Sequence, residues 1–326
     1  MPGLITHYIC GEAVLEKLDG DIAQIIREHH QMYNVGTQGP DIFFYYLPGL
    51  ILKKIAGLGT KMHKGNFKLF MKHMAESTNG MEGRVREAAV AYIAGYLTHY
   101  CLDYMTHPYI YYKTGERKDD DIKTLKYSVY HRNFEAAIDI LMLKLSSGEK
   151  PADKKLWEII KIPRDDAKAV SQIIGKSVLE AYETEITSKQ VYKSFVYMMR
   201  LTRLMQSRNG KRKRLMEFVE GMTIGEKICS SLIHAQELHD GIDYLNLGKR
   251  PWHMPWDNQK AYDVSFTEMF EKAVDQGAGV VTAFHRYIQG EMDMDELLAV
   301  TGNYSLSTGL EFGREVIFQY HDIVYG

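Results

Sequence analysis

The sequence predicts an all-α protein. Apolar residues recur at intervals of three and four along most of the 326 residues, the spacing that places them on one face of a helix. No segment alternates apolar and polar residues as a half-buried strand does, and there is no internal repeat or low-complexity linker. A chain of this length can bury a large core without a sheet.

The same periodicity predicts ten helices in chain order. They cover residues 12–32, 66–77, 84–107, 124–146, 152–161, 164–186, 188–208, 211–243, 265–288 and 293–300. The third helix should end before Pro108, because the residue preceding a proline disfavours helical geometry. A boundary, if there is one, falls in S-S-G-E-K-P-A near residues 146–152. We therefore predict a helical core over 1–145 that carries the metal site. Further helices over 146–326 should pack on it within one extended domain.

Composition narrows the class of protein. The net charge is −2, which gives no global field to attract nucleic acid or anionic membranes. The longest apolar run, 42–52, is shorter than the roughly 20 residues of a membrane helix, so it belongs to the core or to an apolar wall beside the site. The start M-P-G-L-I-T-H has no charged or apolar signal region. The three cysteines are odd in number and lack C-x-x-C spacing, which fits a reducing compartment. A cytoplasmic location is expected, and secretion stays open.

The most informative motif lies in T-H-Y-C-L-D-Y-M-T-H-P. It sets His99, Asp103 and His107 four residues apart, and His131 and Glu135 follow at the same spacing. Successive i, i+4 positions drift by only about 40° around a helix, so each set projects from one face. A carboxylate between two imidazoles can bridge two cations, and nitrogen and oxygen ligands without thiolate suit zinc kept partly open for catalysis.

A purely structural interpretation must be weighed against this one. A single histidine on an apolar face is usually a packed residue, and H-x-x-x-E often forms only a surface pair. Here Tyr92 and Tyr96 precede His99 on the same side of the helix, so the polar groups point inward. Burying three unpaired ionisable groups costs several kcal/mol each, which a bound cation offsets. The stripe therefore favours metal binding.

Two earlier segments supply further candidate ligands. His7 lies in L-I-T-H-Y, Asp41 follows the turn-forming N-V-G-T-Q-G-P, and His63 lies where a new helix could begin. The complete set has the chemistry and the number of ligands for three zinc ions: His7, Asp41, His63, His99, Asp103, His107, His131 and Glu135.

The order of these residues, a near-terminal His, an Asp, a His, then H-x-x-x-D-(x)n-H and H-x-x-x-E, resembles the zinc-dependent phospholipase C and S1/P1 nuclease family of all-helical trinuclear zinc phosphoesterases. The resemblance covers residues 1 to about 145 and is weaker beyond. It implies a multi-helix bundle, with additional C-terminal helices in this chain, and up to three Zn²⁺ ions.

The resemblance also implies how the ligands divide. One zinc would be held by Asp41, His63, His99 and Asp103, and a second by the N-terminal residue, His7 and Asp103, with Asp103 bridging the two. His107, His131 and Glu135 would hold the third. In the family the free α-amine and the first carbonyl are ligands, and loss of Met1 would leave the amine of Pro2 five residues before His7.

Three departures from the family pattern matter. The start of the sequence does not resemble a signal peptide of the kind whose cleavage exposes the mature amine in secreted members. The spacing from His99 to His107 is tighter than in the best-known members, and Pro108 should let His107 swing toward a different metal. Choline-preferring members carry aromatic residues where this chain has Ile42 and Thr60. We therefore expect no aromatic cage for quaternary ammonium.

The predicted function is phosphoester hydrolysis, with phospholipase C-like cleavage of phospholipid phosphodiesters by a zinc-bound water as the leading hypothesis. Asp41, as ligand and proton acceptor, Asp103 and Glu135 are the candidate catalytic residues. The partners would be a phospholipid or other phosphodiester and, transiently, a membrane surface, without a stable nucleic-acid partner. A nuclease or 3′-nucleotidase of the same fold and a non-catalytic metal-stabilised binding or scaffold protein stay open as alternatives.

Three other segments have two interpretations each. K-R-K-R at 211–214 is either an exposed helix start or a phosphate patch. W-H-M-P-W at 252–256 is either an aromatic loop packed on the helical body or an insertion into lipid. His234, His239 and Asp240 form either helix-end polar contacts near Gly241 or a further metal site.

Overall fold

The computed structural model describes residues 3–46, 53–118, 121–206 and 238–325, and its fold is all-α. The first part contains α1 (Leu4–Lys17), α2 (Gly20–Glu28), α3 (His30–Gly36) and a 3₁₀ helix (Gly39–Tyr45). The prediction of one helix over 12–32 is therefore wrong. The chain leaves the helix at Leu18, whose backbone is extended, and Gly20 takes a left-handed φ of 64°, which glycine adopts without strain.

Helices α4 (Lys53–Lys64) and α5 (Phe67–Glu76) lead to α6 (Gly83–Thr114), which has 32 residues and passes through Pro108. The prediction that the helix ends before Pro108 is wrong, and His107 is helical. Proline cannot donate to the carbonyl four residues earlier, here that of Tyr104. Gly309 packs on this carbonyl, where a Cβ would lie 2.2 Å from the oxygen. Tertiary packing thus accommodates the proline.

The later helices follow the predicted segments with shifts of up to four residues at their ends, but the ten-residue helix predicted over 152–161 is reduced to four residues. A 3₁₀ turn (Ile122–Thr124) precedes α7 (Leu125–Ser147), and then come α8 (Leu156–Ile159), α9 (Arg164–Tyr182), α10 (Ser188–Met205), α11 (Phe266–Ile288) and α12 (Met294–Thr301). Capping boxes begin α10, α11 and α12. Residues 207–237 lie outside the described residues, and so do K-R-K-R and most of the helix predicted at 211–243. Residues 238–243 form turns and irregular backbone.

A small hairpin corrects the expectation that the chain has no strands. Strands β1 (Trp252–Met254) and β2 (Asp257–Tyr262) pair antiparallel, with Trp252 opposite Tyr262. Most of β2 is exposed and polar, so it lacks the alternation that marks a half-buried strand. Trp252 anchors the hairpin instead. Its ring is buried 5.3 Å from that of Tyr109 on α6, so the W-H-M-P-W segment packs on the helical body.

Helix α6 lies at the centre of the fold. Helices α1, α2, α3, α7, α9 and α11 all pack against it, and one hydrophobic cluster extends from Leu4 to Leu306. Helix α3 crosses α6 at backbone contact, because a Cβ at Gly36 would lie 2.2 Å from the Tyr92 carbonyl and a Cβ at Gly95 equally close to the Tyr33 carbonyl. This crossing brings the segment after α3 against the polar stripe of α6. Among the described helices, none has the length and apolar character to span a bilayer.

Candidate metal centre

The stripe on α6 is the centre of the candidate site. His99 and Asp103 are fully buried and His107 is nearly so. The two carboxylate oxygens of Asp103 face different imidazoles. Oδ2 lies 3.0 Å from His99 Nε2 and 3.5 Å from His63 Nε2, while Oδ1 lies 3.3 Å from His7 Nε2 and 3.8 Å from His107 Nδ1. Asp103 therefore has the geometry of a bridging ligand.

Three candidate ligands outside α6 reach this stripe from separate elements. His7 is carried by α1, and its ring stacks on that of His99 at a centroid distance of 4.0 Å. Asp41 lies in the 3₁₀ helix after α3, and His63 lies near the end of α4. His63 Nε2 is 3.3 Å from Asp41 Oδ1. The structure thus brings together residues that are far apart in the sequence.

Helix α7 supplies the remaining pair. His131 Nε2 lies 2.7 Å from Glu135 Oε1, and the His131 ring stacks on that of His107 at 5.7 Å. The i, i+4 spacing gives this contact directly. Because Pro108 leaves α6 helical, His107 reaches α7 without a break in the helix.

Among the described residues, three groups place their ligand atoms within 4.8 Å of one another. They are His7, Asp41 and His99; His63, His99 and Asp103; and His107, His131 and Glu135. The third group is the set that the family resemblance implies. Asp41 lies between the first two groups, since it groups with His7 and also contacts His63.

Backbone carbonyls orient three of the imidazoles. The Nδ1 atoms lie 3.1 Å from the Thr37 carbonyl for His99, 2.7 Å from the Gly59 carbonyl for His63, and 2.5 Å from the Leu306 carbonyl for His107. A carbonyl only accepts, so each Nδ1 must carry the proton. In His99 and His107 the Nε2 atom is then free to ligate a metal, as in proteins where a backbone carbonyl fixes the tautomer of a ligating histidine. His63 Nε2 can do the same only after its ring loses a proton.

Unpaired buried atoms concentrate in this site. In the described part of the chain, these side-chain atoms have no hydrogen bond of favourable geometry: both ring nitrogens of His7, Nε2 of His63 and His99, Oδ1 of Asp41, and both carboxylate oxygens of Asp103. An unsatisfied buried polar group is costly. Their donor chemistry, imidazole nitrogen and carboxylate oxygen, is that of zinc ligands. The residues present therefore fit a bound cation.

The shifted pKa values of most of these groups favour the protonation states that bind a cation. Burial opposes ionisation of Asp103, but the positive charge that the surrounding imidazoles carry when protonated, together with a hydrogen bond from His63, outweighs burial and holds the pKa of this carboxyl well below its usual range. Burial lowers the pKa of His7, and lowers those of His107 and His131 further, which leaves these rings neutral as metal ligation requires.

His63 differs from the other imidazoles. Burial opposes its protonation, but Asp103 and Asp41 outweigh that effect and raise the pKa of His63 to about 9. Without a metal, a proton on this ring sits between the two carboxylates. A cation and this proton therefore compete for the same place.

Several groups that position the candidate ligands were not predicted from the sequence. A backbone carbonyl such as that of Leu306 has no residue-type signature. Gly39 did carry a signal in G-P-D: its φ is 49°, and a Cβ there would lie 2.3 Å from the His99 ring. Only glycine permits this approach. Asp139, one turn beyond Glu135 on α7, is fully buried and binds the first turn of α1.

Comparison with known families agrees with this geometry. The model of the zinc-dependent phospholipase C family matches residues 6–193, more than half of the chain. The chain belongs to this family. No curated protein and no solved structure gives a significant match. Family membership supports zinc as the metal of the three candidate groups. The match begins one residue before His7 and extends beyond Glu135, so it includes every candidate ligand.

No aromatic residue occupies the two positions at which choline-preferring members carry one. Ile42 is buried, Thr60 is exposed, and neither is aromatic. The nearby Phe44 ring lies 5.7 Å from that of His63 and is 41% exposed. Residues 1 and 2 lie outside the described residues, as do 47–52 of the apolar run and His234. His239 lies in irregular backbone with its ring 6.0 Å from that of Tyr325, and no metal group among the described residues includes it.

Proposed function

We propose that the protein is a zinc-dependent phosphodiesterase that cleaves phospholipids in the manner of a phospholipase C, at a centre of three zinc ions. The observation that carries this proposal is the convergence of three ligand groups on α6, with unpaired buried donor atoms around Asp103. Membership of the zinc-dependent phospholipase C family supports the choice of metal and of substrate class.

Each ligand has a proposed place. Asp103 would be shared by two zinc ions, because one of its oxygens faces His7 and the other faces His99. In the division that the family resemblance implies, Asp41, His63 and His99 would complete the first zinc site, and His7 with the chain terminus would complete the second. His7 also lies close enough to Asp41 and His99 to share a metal with them. The third zinc site consists of His107, His131 and Glu135. All eight residues come from α1, the 3₁₀ helix, α4, α6 and α7, which pack around one core.

The reaction would displace the glycerol oxygen from phosphorus. Bound zinc supplies positive charge to the phosphate oxygens and acidifies the attacking water. Asp41 is the proposed proton acceptor, since its side chain is 11% exposed whereas that of Asp103 is fully buried. As the new P–O bond forms and the P–O bond to diacylglycerol breaks, the proton passes from water to Asp41 and then to the leaving oxygen. The products are diacylglycerol and a phosphorylated headgroup.

The partner of this reaction would be a phospholipid met in transient contact with a membrane surface. The net charge of −2 provides no broad field for anionic surfaces, so we propose that contact is local and brief. No stable complex with nucleic acid is proposed.

A substrate screen tests the function. Protein stripped of metal and reloaded with zinc is assayed on phosphatidylcholine, phosphatidylethanolamine, phosphoinositides, single-stranded DNA and 3′-nucleotides. We expect zinc-dependent release of diacylglycerol, its loss in His131→Ala, and its retention in His73→Ala, a matched control on α5. Turnover of DNA or 3′-nucleotides without phospholipid cleavage would support the nuclease alternative. Zinc binding without turnover of any substrate would support a scaffold.

A further inference from the structure

Asp139 is a buried carboxylate that the proposed zinc centre does not use as a ligand. It lies on α7 and is fully buried. None of the three metal groups among the described residues includes it. It nevertheless continues the stripe of His131 and Glu135 at the same i, i+4 spacing, so all three side chains project from one face of α7.

The carboxylate of Asp139 caps α1 from a distance of more than 130 residues in sequence. Oδ1 accepts hydrogen bonds from the Thr6 amide at 2.8 Å and the Thr6 hydroxyl at 2.6 Å, and Oδ2 accepts one from the Ile5 amide at 3.1 Å. These amides are the second and third of the helix, the pair that an N-cap side chain normally satisfies. The residue at the N-cap position, Gly3, forms no side-chain cap. Asp139 therefore replaces the N-cap side chain that Gly3 lacks. Its negative charge also interacts favourably with the positive end of the helix dipole.

The contact is close, and it fixes the turn that carries His7. A Cβ on Gly3 would lie 2.2 Å from Asp139 Oδ2, so glycine is required for this approach. The His7 amide in turn donates to the Gly3 carbonyl at 3.2 Å. His7 thus directly follows the anchored turn, and its Nε2 lies 3.3 Å from Asp103.

We infer that Asp139 is a positioning residue that holds His7 in register with Asp103 by tying α1 to α7. One helix then carries two ligands of the third group and the anchor for a ligand of another group. This inference rests on the proposed zinc centre. An ordinary helix cap would stabilise the protein without selective effect on one zinc, and that difference can be measured.

The test is competition for zinc between the purified, zinc-loaded protein and a chelator of known affinity. In Asp139→Ala, one zinc equivalent should be lost at a chelator concentration roughly tenfold or more below that for the wild type, the usual effect of removing a group that supports a metal ligand. Thr6→Val removes only the hydroxyl bond and should shift the same equivalent by less. It also carries the test if Asp139→Ala does not fold.

Two controls separate positioning from general stability. Asp293→Ala removes an aspartate cap from α12, where the side chain accepts from the Glu296 amide at 2.8 Å. It should lower the melting temperature of the metal-free protein and leave the zinc titration unchanged. In a His7→Ala background, Asp139→Ala should produce no further shift, because it acts through His7.

The outcomes are distinguishable. Any of three results would overturn the inference. The first is a zinc titration identical to that of the wild type in both Asp139→Ala and Thr6→Val, and the second is an equal shift of the zinc titration in Asp293→Ala. The third is a shift by Asp139→Ala that is undiminished in the His7→Ala background. A wild-type protein that binds no zinc would refute the proposed function and the inference together. Selective zinc loss as expected, in a protein that cleaves no phosphodiester, would refute the proposed activity alone and support the inference.

Discussion

Replacing Asp103 by asparagine should remove two zinc ions together. The side chain is fully buried, and its two oxygens lie 3.0 Å from His99 Nε2 and 3.3 Å from His7 Nε2. Asparagine keeps the shape but removes the negative charge. At roughly 4 Å and an effective dielectric constant of about 20, one charge contributes about 4 kcal/mol per unit of positive charge. For a dication this amounts to about 8 kcal/mol, of which the amide oxygen, still able to ligate, should recover roughly half or more. The remaining loss of about 3 to 4 kcal/mol means that each of the two zinc ions should bind about 100- to 1,000-fold more weakly.

The assay is metal analysis after dialysis against a buffered zinc concentration. The wild type should retain three zinc ions and Asp103→Asn only the one assigned to α7 and His107. Asp166→Asn is a matched control. It also removes a buried carboxylate, but one that pairs with Arg84 at 2.8 Å on the far part of α6, and its zinc content should be unchanged. Full occupancy in Asp103→Asn, or loss of only one ion, would refute the bridging role.

Three further predictions concern pH, activity and substrate choice. Asp103 and Asp41 together, against the effect of burial, raise the pKa of His63 from 6.5 to about 9. The protonated His63 ring therefore stabilises the metal-free protein fully below pH 6.5, and this contribution to the free energy of unfolding is lost as the pH rises through 9. Melting temperatures measured in chelator should fall over that range, and a flat or rising profile would contradict the assignment. His131→Ala should lower phosphodiesterase activity by more than tenfold, a barrier change above about 1.4 kcal/mol, with the circular dichroism of the helices retained. Activity within tenfold of the wild type would count against the third zinc site. Because Ile42 and Thr60 provide no aromatic cage, kcat/KM for phosphatidylcholine should exceed that for phosphatidylethanolamine by less than about tenfold, since a desolvated cation–π contact is worth up to about 2 kcal/mol. A larger ratio in vesicle assays would show that other rings, such as Phe44, form a cage.

The sequence by itself determined the local part of the site. Residues four apart on a helix share a face whatever the rest of the chain does. The stripe of His99, Asp103 and His107 and the pair His131 and Glu135 could therefore be predicted from spacing alone. The helical class and most helix positions followed from the same periodicity. The order of ligands along the chain was sufficient to predict the family.

Long-range contacts were decided only by the tertiary structure. The convergence of His7, Asp41 and His63 depends on the packing of α1 and α4 and on the glycine contact between α3 and α6. Periodicity specifies which face of a helix is buried, not which helix covers it. Gly309, about 200 residues later in the chain, likewise packs on the Tyr104 carbonyl that Pro108 leaves without a helical donor.

Backbone groups and polar strands were also beyond prediction from the sequence. The Leu306 carbonyl orients His107, yet every residue has a carbonyl, so no side chain marks it. Strand β2 carries polar residues and pairs because Trp252 is buried against α6, which no alternation of apolar residues reveals. Asp139 continues the i, i+4 spacing of His131 and Glu135 in the sequence. Its partner, the first turn of α1, is identified only in the folded chain. Side-chain spacing therefore determines the ligands of one helix, while the contacts that hold ligands of different helices together exist only once the helices pack.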